Sequence, residues 1–176
     1  MNTLTDIALT AQVAAFGSQR AFGLLVQRHQ EAVRRTLLRL CQGDAMLADD
    51  LAQETFIRAW QGIGGFRQTA GFRTWLLSIA YRVFLDERRR EARYAQQPVA
   101  DADAAADAPG TLALDIDAAM AVLSDMERTC VTLQCIEGHS IGDIERITGV
   151  TANTVKSHLL RGKQKLATYL RNNGYN

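Results

Sequence analysis

Three groups of side chains have types and spacings that could do chemistry. Lys156, Ser157, Arg161 and Lys163, with Lys165 beyond them, share a stretch in which Val155, Leu159 and Leu166 take the inward helical positions. Ammonium, hydroxyl and guanidinium donors are thereby left on one outer face, the donor set that pairs with phosphates and with base edges in a DNA major groove. Phe66 and Arg67 lie in a glycine-rich loop over residues 62–71, and Arg73, Trp75, Tyr81, Arg82, Arg88 and Arg89 follow it. Guanidinium groups interleaved with rings suit a single strand, because they neutralise phosphates and stack on bases. Asp50, Gln53, Glu54 and Ile57 recur at i, i+3, i+4 and i+7, forming one acidic helix stripe with an apolar member. That stripe reads as a protein interface, with a solvated face as the alternative.

The elements that must hold these groups are helices. Ser140 and Asp143 give a Ser-x-x-Asp capping signal, and Ile141, Ile144 and Ile147 supply a buried stripe. Gly149 fits a left-handed helix end, and Thr151 starts a second helix with Val150 and Val155 as a hydrophobic staple. A short apolar helix, a turn containing Gly, and a helix with a basic outer face make the helix-turn-helix pattern. Upstream, helices are expected over residues 6–16, 19–41, 45–61 and 72–90, with breaks at Gly17-Ser18 and Gly43-Asp44. Leu76, Ile79, Ala80 and Val83 mark the core face of the last of these, and His29 on the second reads as a satisfied boundary histidine. Residues 91–117 are rich in Ala and Asp and read as a linker, able to extend to ~90 Å. A second helical unit starts near Ile116. The fold class expected is all-α, with two small helical domains, 1–90 and 118–176, joined by a flexible acidic linker over 91–117; the C-terminal domain carries the helix-turn-helix.

Bulk properties narrow the function. Net charge over the 176 residues is only +1. Residues 1–90 hold 12 Lys/Arg against 8 Asp/Glu, residues 91–118 hold 1 against 6, and residues 119–176 hold 7 against 5. Two basic blocks flanking an acidic segment suit a protein that grips nucleic acid at two places. No apolar run reaches the ~20 residues of a membrane span. The N-terminus has no secretory pattern, so a cytoplasmic location is expected. Cys41, Cys130 and Cys135 read as reduced thiols at buried or half-buried positions. On a helix over 127–136, Cys130 and Cys135 would point about 140° apart, which argues against zinc shared with His139. No nucleophile–base pair, phosphate loop or metal cluster is spaced along the chain. No catalytic residue, cofactor, metal or small-molecule substrate is therefore expected, and the chain does not read as an enzyme.

Together these segments resemble the small extracytoplasmic-function (ECF, group IV) sigma factors of bacterial RNA polymerase, in the sigma-70 family, over roughly residues 16–170. DDLAQETFIRAW at 49–60 resembles the motif that binds core polymerase. FRQTAGFRTWLLSIAYRVFLDERRR at 66–90 resembles the segment that reads and melts the −10 element, and 123–166 resembles the domain that reads the −35 element. The resemblance implies that Asp49, Asp50, Gln53, Glu54 and Ile57 bind the largest subunits of core RNA polymerase. It implies that Phe66, Arg67, Gln68, Arg73, Trp75, Tyr81, Arg82, Arg88 and Arg89 hold the melted −10 strand of promoter DNA. Thr154, Lys156, Ser157, Leu160, Arg161 and Lys163 match positions that contact the −35 duplex. Leu123-Ser124 departs from the Leu-Pro usual in the family at that place. The group further implies a membrane-linked anti-sigma factor as partner, which would hold the chain at the inner membrane. The alternative reading is a helix-turn-helix transcriptional regulator that acts without core polymerase.

Overall fold

The computed structural model describes residues 3–67, 69–95 and 112–174. Eight α-helices carry the described residues: α1 (Thr3–Phe16), α2 (Gln19–Leu40), α3 (Ala45–Gly62), α4 (Phe72–Ala95), α5 (Leu112–Ala121), α6 (Asp125–Val131), α7 (Ile141–Thr148) and α8 (Ala152–Asn172). A 3-10 turn over Ile63–Gly65 follows α3, and a π turn over Thr132–Ile136 follows α6. No strand occurs among the described residues.

Local chemistry sets the boundaries. Gly17 takes φ +60° to end α1, and Ser18 Oγ then accepts the Ala21 N–H at 3.2 Å to start α2. Gln42 and Gly43, both with positive φ, turn the chain, and Asp44 caps α3 by accepting the Leu47 N–H at 3.0 Å. Ser124 builds a full capping box. Its Oγ accepts the Glu127 N–H, and Glu127 Oε2 accepts the Ser124 N–H at 3.0 Å. Buried Arg128 donates to the carbonyls of Met120 (3.1 Å) and Leu123 (2.8 Å), clamping the turn between α5 and α6.

The N-terminal unit packs α1 to α4 around Leu25, Leu37, Leu76, Leu77 and Phe84, all nearly or fully inaccessible. Asp6 on α1 pairs with Arg28 (3.1 Å) and with His29 Nε2 (2.9 Å), so His29 is satisfied at the edge of this core. The C-terminal unit packs α5 to α8 around Leu123, Cys130, Leu133, Ile144 and Val155. The two units share one continuous core, with α4 against α7 and α2 against α6 and the π turn.

Several boundaries differ from those expected. α4 continues past Arg90 to Ala95, and i,i+3 pairs Glu87–Arg90 (2.9 Å) and Arg88–Glu91 (2.7 Å) support the extension. α5 opens at Leu112, ahead of Ile116. The centre of the expected linker, residues 96–111, lies outside the described residues, as does Gln68. Cys135 is expected to be buried or half-buried and is exposed, in the π turn that follows the helix carrying buried Cys130. Cys130 is buried, and no group of three or more His, Cys, Asp or Glu is placed to hold a metal among the described residues.

Candidate functional site

The C-terminal unit presents its second helix-turn-helix helix openly. Ser140 Oγ accepts the Asp143 N–H at 3.1 Å to start α7, and Gly149 ends it at φ +75°. Thr151 Oγ1 then accepts the Thr154 N–H at 3.4 Å to start α8. Val155 and Leu159 anchor α8 to the core. Thr154, Lys156, Ser157, Leu160, Arg161 and Lys163 are all exposed on its outer side. Lys163 donates to Gln134 Oε1 at 2.9 Å, and Arg161 lies 3.2 Å from His158 Nδ1. Lys165 pairs with Glu127 at 2.7 Å, which holds the lower part of α8 to α6. Glu127 stays below the ordinary carboxylate range: burial opposes ionisation, but the bonds from Lys165 and Ser124 outweigh it. Gly162 lets α8 cross α6 closely, since a Cβ there would stand 3.0 Å from Val131 Cγ2 and 3.5 Å from Glu127 Cβ.

The acidic stripe of α3 forms a crest between two grooves. Asp49, Gln53 and Ile57 line a groove against α2 with Val26, Ala52 and Phe56. That groove continues into an apolar end formed by Phe22, Phe56 and Trp60, where the Phe22 and Trp60 rings meet edge to face at 5.0 Å. Asp50 and Glu54 line the other groove, against α4, with Arg58, Asp86 and Glu87. Ile57 is 52% exposed. Asp49 is held by Arg34 at 2.5 Å, and Glu54 by Arg58 at 2.7 Å. Sequence reasoning did not find the α2 wall or the aromatic end of the groove.

The loop and α4 are arranged differently. Phe66, Phe72 and Trp75 form a mutual ring cluster with centroids 5.2–5.6 Å apart, and His29 lies edge-on to Phe72 at 5.2 Å. Arg67, Arg82 and Arg89 are exposed. The other members of the set face the C-terminal unit. Tyr81 is only 5% exposed, its hydroxyl 3.9 Å from Met126 Sδ, and burial pushes its pKa up to about 12. Arg88 reaches Asp125 at 3.4 Å. Arg73 pairs with Glu137, which also takes two hydrogen bonds from Arg35 at 2.7 and 3.0 Å. The Glu137 carboxylate is fully covered. Its pKa is lowered: burial works against ionisation, but the hydrogen bond and charge of Arg35 and the charge of Arg73 prevail. Neither Arg35 nor Glu137 was found from sequence.

Comparison with known proteins fits this layout. Residues 25–94, spanning most of α2 through nearly all of α4, match the model for Sigma-70 region 2. Residues 113–166 match that for Sigma-70, region 4. The chain belongs to the sigma-70 family. Within it the chain sits with the ECF sigma factors. It is 34% identical to ECF RNA polymerase sigma factor SigM of Mycobacterium tuberculosis, over 92% of this chain and 82% of that protein. It is 31% identical to ECF RNA polymerase sigma factor SigW of Bacillus subtilis, over 88% and 91%. Among solved structures, the sigma factor RpoE in complex with the anti-sigma factor NepR from Bartonella quintana superposes with a TM-score of 0.73 at 25% identity, covering 85% of this chain and 96% of that one. CnrH in complex with the cytosolic domain of CnrY gives 0.72 at 28% identity, over 94% and 97%. In this sigma factor α1 lies ahead of both matched regions, and its Asp6 fastens it to α2.

Proposed function

We propose that this chain is an alternative sigma factor that binds core RNA polymerase and directs initiation at its own class of promoters. It makes and breaks no bond itself. The observation that carries this reading is the pairing of two different surfaces in one chain. One is an acidic crest flanked by grooves on α3, and the other is an open basic helix on α8. A DNA-binding regulator needs only the second.

Asp49, Asp50, Gln53, Glu54 and Ile57 would meet the largest subunits of core polymerase. Thr154, Lys156, Ser157, Leu160, Arg161 and Lys163 would read the −35 duplex from the major groove. Phe66, Arg67, Gln68, Arg73, Trp75, Tyr81, Arg82, Arg88 and Arg89 would hold the melted −10 strand. Tyr81, Arg73 and Arg88 face the C-terminal unit, so strand binding through them requires that unit to move. Residues 1–90 and 118–176 would then act as separate heads, with 91–117 as the tether. Two solved relatives stand in complex with an anti-sigma factor or with a cytosolic domain of another protein. That supports a cytoplasmic protein restrained by a membrane-linked anti-sigma partner.

Run-off transcription with purified core polymerase over a promoter library tests the reading. Transcripts absent without the chain should appear with it. Asp50→Arg combined with Glu54→Arg should abolish capture of core polymerase while helix content is kept. Unchanged capture would leave the helix-turn-helix regulator as the better account.

A further inference from the structure

We propose that Arg35 and Arg73 together form a phosphate-binding fork for the backbone of a single nucleic-acid strand, and that Glu137 fills this fork when the C-terminal unit is docked. The inference rests on the reading of α4 as the strand-binding face and adds to it a residue from another helix, α2.

The geometry is that of an anion site. Arg35 donates through Nε to Glu137 Oε1 at 2.7 Å and through Nη2 to Oε2 at 3.0 Å, the two-pronged arrangement that guanidinium makes with carboxylate and phosphate alike. Arg73 Nη2 donates to the same Oε2. Two cations therefore converge on one anion. Glu31 adds a second carboxylate only at the margin, 3.8 Å from Arg35 and 89% exposed.

The two sides of this contact differ in ownership and in exposure. Both arginines belong to the N-terminal unit and keep 44% and 39% of their side-chain surface. Glu137 belongs to the C-terminal unit and keeps none. Withdrawal of the C-terminal unit removes the carboxylate and leaves the two guanidinium groups in place on α2 and α4. The carboxylate is also an imperfect occupant. Arg73 Nε is buried without a hydrogen-bond partner, and so is His139 Nε2 close by. A tetrahedral phosphodiester presents oxygens in directions that a flat carboxylate does not, and can use a donor left idle here.

Arg73 stands at the start of α4, two positions before Trp75, whose ring packs on Phe66. A strand whose bases lie over the loop would bring its backbone past this end of the helix. The same donors cannot hold Glu137 and a phosphate at once, so docking and strand capture compete directly.

Fluorescence anisotropy of the full chain with a labelled mixed-sequence single strand of about 12 nucleotides, measured across a salt series, tests the fork. A phosphate contact is independent of sequence, so the probe needs no knowledge of the promoter. In a Glu137→Gln background, where the occupant's charge is already gone, Arg35→Gln should weaken binding about 5- to 10-fold and flatten the slope of log affinity against log salt by about 0.7, the share of one lost phosphate contact on a single strand. Arg35→Lys should recover part of the slope, which repair of folding alone would not do. Glu137→Gln should strengthen binding several-fold, since the occupant loses its charge yet keeps its shape. Variants are compared at equal helix content.

Arg82→Ala with Arg89→Ala separates the two levels of the argument. If that pair weakens binding while Arg35→Gln in the Glu137→Gln background leaves affinity and slope unchanged, the strand-binding face stands and the fork is wrong. If neither alters binding, the face itself is wrong and the fork falls with it. Unaltered affinity for Glu137→Gln would overturn the claim that Glu137 blocks the site.

Discussion

The basic faces of α4 and α8 use similar side chains and stand in opposite states. On α8, Lys156, Ser157 and Arg161 point to solvent, anchored from behind by Val155 and Leu159. On α4, Arg73 and Arg88 already hold carboxylates from the C-terminal unit, and Tyr81 is covered by it. Under the proposed function, one face stands open to duplex DNA, whereas the other would first have to be uncovered. The difference teaches that cationic content alone does not define a nucleic-acid surface; what the cations are already paired with matters as much.

This contrast can be broken in graded ways. The largest effect is expected from Ile144→Ala, which removes a fully buried side chain from the helix that packs on both α4 and α8. A loss of about 2–5 kcal/mol is expected, read by thermal or denaturant unfolding. Next, Arg161→Ala should weaken duplex promoter binding by roughly 1–3 kcal/mol, or about 5- to 150-fold, while leaving single-strand affinity unchanged. Equal losses on both probes would erase the distinction between the faces.

Acid should then uncover α4. Glu137, ringed by Arg35, Arg73 and His139, has a lowered pKa, so its contribution to docking is present above the ordinary carboxylate value and is lost as pH falls through the lowered one. His139 is also lowered, by burial first and by the Arg73 charge second, from an ordinary value of 6.5. An opened form takes up a proton on it more readily, so its share begins to fade below about 6.5. Both act in one direction, and small-angle scattering should report expansion on acidification from neutral pH. Glu137→Gln should remove the low-pH part of that response.

Smaller still, Ser124→Ala should cost about 1 kcal/mol through loss of the capping box on α6. Arg88→Ala should change docking by well under 1 kcal/mol, because its pair with Asp125 is about half exposed on both sides.

Much of this architecture is local and therefore legible in sequence. Ser140, Gly149 and Thr151 cap or terminate helices through partners within four residues, so composition and spacing suffice to place them. The core face of α4 follows from helical period alone, and Leu76, Ile79, Ala80 and Val83 lie where that period puts them. What stays hidden depends on contacts distant in sequence. Nothing beside Arg35 announces Glu137, and nothing in the interleaved run around Tyr81 tells that Met126 will cover it. The π turn at Thr132–Ile136 is likewise silent in the sequence, and Cys135 is exposed within it. The residue types of the candidate site are thus readable one by one, but what they are already paired with is not.

Gly162 carries a consequence for how such a protein can change its target. A side chain there would press on Val131 and Glu127, so the seam between α6 and α8 sets the pitch at which α8 leaves the body of the molecule. Leu160, two positions before Gly162, turns outward, while Arg161 is more than half exposed and touches the seam only through Glu127 at 4.0 Å. If the proposed −35 contacts hold, the alphabet of bases being read could be rewritten on outer residues such as Lys156, Ser157 and Leu160 without retuning the angle of approach, while an added methyl at the seam would misalign every letter together.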